Sequence, residues 1–424
     1  MPPPVRFTRL EQWLYWQQVV HPRAIDLGLE RVARVLERTG WGGLRQPVIT
    51  VGGTNGKGSC VALVDAMLRA GGYRVGTFTS PHLVDYRERI RIDGEWISAA
   101  SLVAAFERIA DALGDDSLTF FEFNTLAALL LFETAAPDAV VLEVGLGGRL
   151  DAVNVVDADV AVIVSVGLDH LEYLGPDVES IGREKAGIFR AGRPAVCGMP
   201  EPPRSVADAA RALGSNLLVR GLDFDGHERE DGRWDYRDSR GELAGLPPPG
   251  LAGIAQVGNA ATALVAVREL SARLPVSREA IERGLAGVRL AGRFQRVTAA
   301  DGFEWILDVA HNPDAAALLA ANLARYRAPG RTLAVCGMLS DKDVPAVLAA
   351  LKGSVDHWFA ATTDGPRGLR DVDLAGQAAR VGIVMAPSGA VCDAVRAAAR
   401  EARAGDRVVV FGSFHTVGPA LSCV

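Results

Sequence analysis

Gly53-Thr54-Asn55-Gly56-Lys57-Gly58-Ser59 is the stretch best equipped to do chemistry. Its glycines let backbone N–H groups approach an anion, and Lys57 offers a mobile cation for the β- and γ-phosphates of a nucleotide. The general phosphate-loop pattern asks for a glycine five residues before the Gly-Lys pair and a hydroxyl directly after the lysine. Here Val51 occupies the first position and the hydroxyl comes one residue late, at Ser59. The loop is a variant. Further polar residues follow apolar runs: Ser80 after residues 74–79, Glu143 within 139–144, and Asp169-His170 after 160–166. In open α/β sheets, ligands sit outside such strand ends. A hydroxyl, a carboxylate and an imidazole beside phosphate oxygens suit Mg²⁺, although imidazole is an unusual ligand for that ion. Glu143 also reads as a cap or ion-pair carboxylate, and His170 as an ordinary loop histidine. From spacing alone, Lys185 in Glu184-Lys185-Ala186-Gly187-Ile188 reads as a surface lysine at a helix end. Asp308, His311 and Asn312 fall at a strand-to-helix switch, with Pro313 at the first helical position. That place suits a ribose, a phosphate or a reacting carboxylate. Asp26-Leu27-Gly28-Leu29 reads as a helix-entry turn.

These residues need elements to hold them. Residues 49–51 form a strand ahead of the phosphate loop, and Val61, Leu63, Val64, Met67 and Leu68 give the following helix its apolar face. An amphipathic helix is expected over 5–20 and a second ends near Thr39. Strands are expected at 74–79, 139–144, 160–166, 194–198 and 217–220, with a strong helix over 122–132. Continuous apolar strands separated by helices indicate a parallel sheet covered on both faces. Residues 221–249 break into short polar segments, as in a small antiparallel excursion. Helices resume over 256–273 and 277–285, and 287–293 reads as a linker. A second alternating series follows, with strands at 305–309, 332–336, 357–360, 382–385 and 407–411 and alanine-rich helices over 315–326 and 390–403.

The 424 residues carry 45 Lys and Arg against 51 Asp and Glu, a net charge of −6, which does not favour a nucleic-acid or anionic-membrane binder. Five widely spaced cysteines without a Cys-x-x-Cys pair read as reduced, mostly buried thiols in a cytoplasmic protein. Met1-Pro2-Pro3-Pro4-Val5-Arg6 lacks a secretory apolar segment, and no apolar run approaches the ~18 residues of a membrane span.

The ordered set of motifs resembles the folylpolyglutamate synthase group of the Mur ligase superfamily, and within it the bifunctional bacterial members. The markers are the phosphate loop, Ser80-Pro81-His82, Glu143 to Ala152, Asp169-His170, Glu184 to Ile188, Gly292-Arg293-Phe294-Gln295 and Asp308 to Pro313. The resemblance implies a P-loop-containing Mur-ligase-type ATPase domain over 1–290, with a mostly parallel α/β sheet and a small antiparallel section. A smaller Rossmann-like domain would follow over 291–424, with 287–293 as a hinge for closure over the nucleotide.

It further implies that Thr54, Asn55, Gly56, Lys57, Gly58 and Ser59 wrap ATP, with Asn259, Arg293, Asp308 and His311 as additional contacts. Ser80 and Glu143 would hold one Mg²⁺ and His170 would help hold a second. Lys185 would be carbamylated by CO2, becoming an anionic oxygen ligand, which reverses the surface reading. Lys57, Lys185 and His311 would be catalytic. Asp26, Leu27, Gly28 and Leu29, with Thr119, Phe120, Phe121, Glu122, Leu150, Asp151 and Ala152, match a dihydropteroate pocket of the two-activity members. The expected enzyme joins L-glutamate to dihydropteroate and extends tetrahydrofolates, through an acyl phosphate. It would be a cytoplasmic monomer with no nucleic-acid or membrane partner. Alternatives are a polyglutamylase alone, another Mur-type ligase, or a phosphate-loop switch; the last leaves Glu143, His170, Lys185 and Asp308 without a shared purpose.

Overall fold

Val48 to Val51 and Ala139 to Leu142 are apolar at every position but one, so both faces of their strands must be covered. The computed structural model describes residues 6–424 and bears this out. The expectations for residues 1–5 lie outside the described residues. Strands β1 (Val48–Gly52), β2 (Val75–Phe78), β3 (Ile90–Ile92), β4 (Glu95–Trp96), β5 (Ala139–Glu143), β6 (Val160–Ile163), β7 (Pro194–Cys197) and β8 (Asn216–Val219) form one sheet in the order β4-β3-β2-β5-β1-β6-β7-β8. β2, β5, β1, β6, β7 and β8 run parallel. β3 and β4 add an antiparallel edge that the sequence pattern did not reveal, because two or three residues carry too little periodicity. All five residues of β1 and of β5 are buried.

The excursion over 221–249 is a separate antiparallel sheet of β9 (Phe224–Glu228), β10 (Trp234–Asp238) and β11 (Gly241–Leu246). A third sheet contains β12 (Gln295–Thr298), β13 (Glu304–Asp308), β14 (Thr332–Cys336), β15 (His357–Thr362), β16 (Met385–Ala390) and β17 (Arg407–Phe411), in the order β12-β13-β17-β14-β15-β16. Alternate side chains of its strands enter two cores. Ile306, Ala334 and Val409 join one, while Leu307, Val335 and Val410 join the other. That two-residue alternation into two apolar layers is why these strands read as unbroken apolar runs.

The chain forms two compact units. The first holds the described residues up to His82 with Tyr86–Pro248 and Val257–Val288; the second holds Leu83–Asp85, Pro249–Gln256 and Arg289–Val424.

Three expectations need correction. The first helix spans Leu10–Val19 rather than 5–20, because the chain folds back and Trp13 Nε1 donates to Phe7 O at 2.9 Å. The strand expected at 382–385 lies at Met385–Ala390, since Gly382 turns at φ +69° and Val384 is 92% exposed. Pro387 is tolerated there because β16 is an edge strand. Finally, Cys60, Cys197 and Cys336 are free and buried, but Cys392 and Cys423 form a disulfide across a Cα separation of 5.8 Å. The helix Phe414–Ala420 packs against Val391–Glu401 and closes that distance, which sequence spacing could not show. No described helix is long and apolar enough to cross a membrane.

Candidate active site

In the first unit, the pairing register sets where the chemistry stands. Val51 lies opposite Glu143 and Gly52 opposite Ile163, so the loops after β1, β5 and β6 leave the sheet at one level. The phosphate loop turns at Gly53 and at Gly56, whose φ is +84°. A Cβ on Gly56 would come 2.8 Å from Val164 Cγ1 and 3.2 Å from Asn259 Oδ1. Only glycine fits, and the same fact puts Asn259 against the loop. Thr54 N donates to Ser165 O and Asn55 N to Ser165 Oγ, both at 2.9 Å, so the chain after β6 braces the loop. Helix Lys57–Ala70 starts at the lysine. Lys57 Nζ donates to Gly53 O at 3.0 Å and Thr54 O at 3.3 Å, which holds the ammonium at the loop's rim. Ser59 is buried in the first helical turn.

Ser80 and Glu143 are brought together: Ser80 N donates to Glu143 Oε2 at 3.1 Å, and Glu143 is 4% exposed. His170 adopts φ +52°, a left-handed conformation uncommon outside glycine, with Nε2 3.9 Å from Asp169 Oδ1. No trio of His, Cys, Asp or Glu among the described residues is grouped to hold a metal by itself. A hydroxyl and a carboxylate are donor types that suit an ion which completes its shell with phosphate and water, as Mg²⁺ usually does.

Lys185 is 3% exposed, which overturns the surface reading made from spacing. Burial lowers its pKa to about 7, and the Lys57 charge acts in the same direction, partly offset by Asp169 and Asp151. The motif around it is explained by packing. A Cβ on Gly148 would meet Glu184 O and Lys185 O at 2.9 Å, and one on Gly187 would strike the Arg149 side chain at 2.3 Å. Arg149 N donates to Glu184 O at 2.8 Å, and its guanidinium pairs with the Glu184 carboxylate. The two glycine-bearing segments thus close on one another and bury the lysine. Asp151, also buried, accepts from Leu146 N at 2.7 Å and Val153 N at 3.1 Å. Burial pushes its carboxyl up to about 7 against those N–H groups and Lys57.

The segments expected to hold the second substrate converge. Helices Glu30–Arg38 and Phe120–Ala135 both pack on the short turn Ala152–Val155. Asp26 to Leu29 lead into the first helix, with Leu29 as its N-cap. Thr119 and Glu122 form a capping box at the start of the second, Thr119 N donating to Glu122 Oε2 at 2.8 Å. Phe121 packs against Gly145, where a Cβ would fall 2.5 Å from its ring, and Ala152 is buried while Leu150 is half-buried. Arg31 was missed by sequence reasoning. Its guanidinium bonds to the Asp26 carboxylate and carbonyl, and reaches Glu122 Oε1 at 2.8 Å. In sequence it is one more charge on a helix face, and its partner lies 91 residues away.

In the second unit, Asp308 closes β13 and accepts from Phe294 N and Ala310 N, each at 2.8 Å. Burial raises its pKa against those N–H groups, Arg293 and His311. It therefore fixes the loop that carries Arg293, whose Cζ lies 4.9 Å from the Phe414 ring centre. His311 Nδ1 is 2.8 Å from Val309 O, a contact in which Nδ1 carries the proton and the carbonyl accepts. Asn312 caps helix Pro313–Arg325 through Ala315 N.

The Mur ligase middle-domain family matches residues 51–199, and the Mur ligase glutamate ligase domain matches 292–414. A dihydrofolate synthase/folylpolyglutamate synthase of Escherichia coli is 46% identical over 419 residues, covering 98% of this chain and 95% of that protein. The chain belongs to this family. Its fold is similar to E. coli FolC solved with DHPP and ADP, with a TM-score of 0.93, 46% identity and coverage of 98% and 97%. It is similar too to the bifunctional enzyme of Yersinia pestis solved with AMPPNP and a manganese ion, with a TM-score of 0.90, 45% identity and 98% of each chain covered. Those solved relatives hold ADP in one case and AMPPNP with a manganese ion in the other.

Proposed function

We propose that this chain is an ATP-dependent ligase that joins L-glutamate to 7,8-dihydropteroate, forming dihydrofolate, and adds further glutamates to the γ-carboxylate of tetrahydrofolates. The observation that carries this reading is the near-full-length likeness to relatives named for both activities. The pterin-bearing carboxylate attacks the γ-phosphate of ATP, giving an acyl phosphate and ADP. The α-amine of glutamate then displaces phosphate through a tetrahedral intermediate. Both first-step reactants are anions, so the protein's task is alignment and charge neutralisation.

Thr54 to Ser59 hold the phosphates, with Lys57 as the mobile cation, and Asn259, Arg293, Asp308 and His311 serve the same nucleotide. Ser80 and Glu143 would hold one Mg²⁺ and His170 would help hold a second; bound there, the ions would supply Lewis-acid neutralisation of phosphate charge. Asp26 to Leu29, Thr119 to Glu122 and Leu150 to Ala152 form the pterin pocket. Lys185 is carbamylated. Its lowered pKa supports this, because CO2 adds to a neutral amine, releasing one proton and leaving an anionic carbamate. The protein acts as a cytoplasmic monomer.

The test is ATP turnover with glutamate, run separately with dihydropteroate and with tetrahydrofolate. Turnover with both is expected. Dependence on tetrahydrofolate alone would leave only the polyglutamylase.

A further inference from the structure

Arg89 is a buried charge without a counter-charge. It ends the short turn Tyr86–Arg89, just before β3, and is 7% exposed. Its Nε donates to His82 Nδ1 at 2.8 Å. Its Cζ lies 5.8 Å from the Tyr86 ring centre and 5.4 Å from that of Phe120. The Tyr86 hydroxyl bonds to Asn124 Oδ1, and burial raises its pKa, so it stays a neutral phenol. Glu143 and Glu88 act on Arg89 only as more distant charges. Among the described residues no carboxylate stands within ion-pair distance of it. Buried arginines are normally paired, because two aromatic faces and one imidazole only partly replace the lost hydration. What is left over is the edge of paired terminal nitrogens, the part of a guanidinium that grips a carboxylate bidentately.

Its surroundings define the ligand. On one side His82 follows Ser80, whose N–H is bonded to Glu143. On the other, Phe120 opens the helix whose first turn belongs to the proposed pterin pocket. We propose that Arg89 binds a substrate carboxylate, and that the one it holds is the pterin-bearing carboxylate that attacks ATP. This inference rests on the ligase reading above. The guanidinium fixes that anion against its repulsion from the triphosphate, with the adjoining Tyr86 and Phe120 rings shielding the cation from water. The amino acid's carboxylate shares the same chemistry and is the other source.

The probes are dihydropteroate and the analogue whose benzoate carboxylate is a carboxamide, measured by equilibrium binding to the full-length protein. The wild-type chain is expected to bind the carboxylate about 10- to 100-fold more tightly. Arg89→Gln is expected to remove that preference and raise KM for dihydropteroate by a similar factor with KM for ATP unchanged; Arg89→Lys restores part of it. A wild-type chain with no preference, or an Arg89→Gln protein that keeps it, overturns the proposal, and the first of these holds even if the variant fails to fold. A rise confined to KM for glutamate overturns the pterin assignment in favour of the amino acid. Wild-type protein that turns over neither pterin substrate defeats the ligase reading itself, separately from any carboxylate preference in binding.

Discussion

The carboxyl edges of the two parallel sheets hold their polar groups by different means. At the first, Asp151 and Lys185 are buried and both titrate near 7, where neither would stand in water. At the second, each working side chain is oriented by its own loop: Asp308 accepts two backbone N–H groups, His311 engages Val309 O, and Asn312 caps its helix. Burial raises the Asp308 pKa and backbone N–H groups hold Asp151 too, so what sets the first edge apart is a buried amine brought to about 7. Burial shifts a proton equilibrium because the charged form loses its hydration, whereas local hydrogen bonds fix geometry with a smaller effect on charge.

The largest expected effect sharpens the role of the first edge. Lys57→Ala and Glu143→Ala are expected to fold, by circular dichroism, but to lose about 10²–10³ of turnover, the scale of removing one preorganised electrostatic contact. Near-normal kcat in either variant would sink the assigned roles. Next comes the tuning itself. With a pKa of about 7 against an ordinary 10.5, Lys185 is mainly neutral above pH 7 and protonated below it. Activity in CO2-depleted buffer is therefore expected to fall as pH drops through 7 and to recover with added bicarbonate. Lys185→Arg, always charged, is expected to be inactive at every pH and deaf to bicarbonate. A bicarbonate-independent wild-type profile would count against carbamylation. The smallest effect belongs to the second edge. Asp308→Asn can no longer accept both backbone N–H groups, so the Arg293 loop loosens and KM for ATP rises by about tenfold, the scale of one lost hydrogen bond to a charged acceptor. The neutral-pH limb should stay where it was; if it moved, the contrast between the edges would be wrong.

Much of this was legible in order along the chain. The strand, glycine loop and helix around Lys57 is a local pattern, and so is the Asn312-Pro313 helix start. Short edge strands such as β4 and β12, the shifted β16 and the Cys392–Cys423 pair were not legible, because edge pairing and cysteine proximity depend on what lies opposite. Arg31 and Arg89 were invisible for a related reason. One arginine looks like another until its distant partners, or their absence, are in view.

By itself the sequence determined which chemical groups were present, their order, and through resemblance the family they belong to. Tertiary structure decided their state. Spacing made Lys185 a surface cation; the closing of Gly148 onto Glu184 and of Gly187 onto Arg149 buried it, and desolvation brought its amine to the edge of neutrality. A pKa is a property of surroundings, and those surroundings exist only once segments far apart in the chain have packed together.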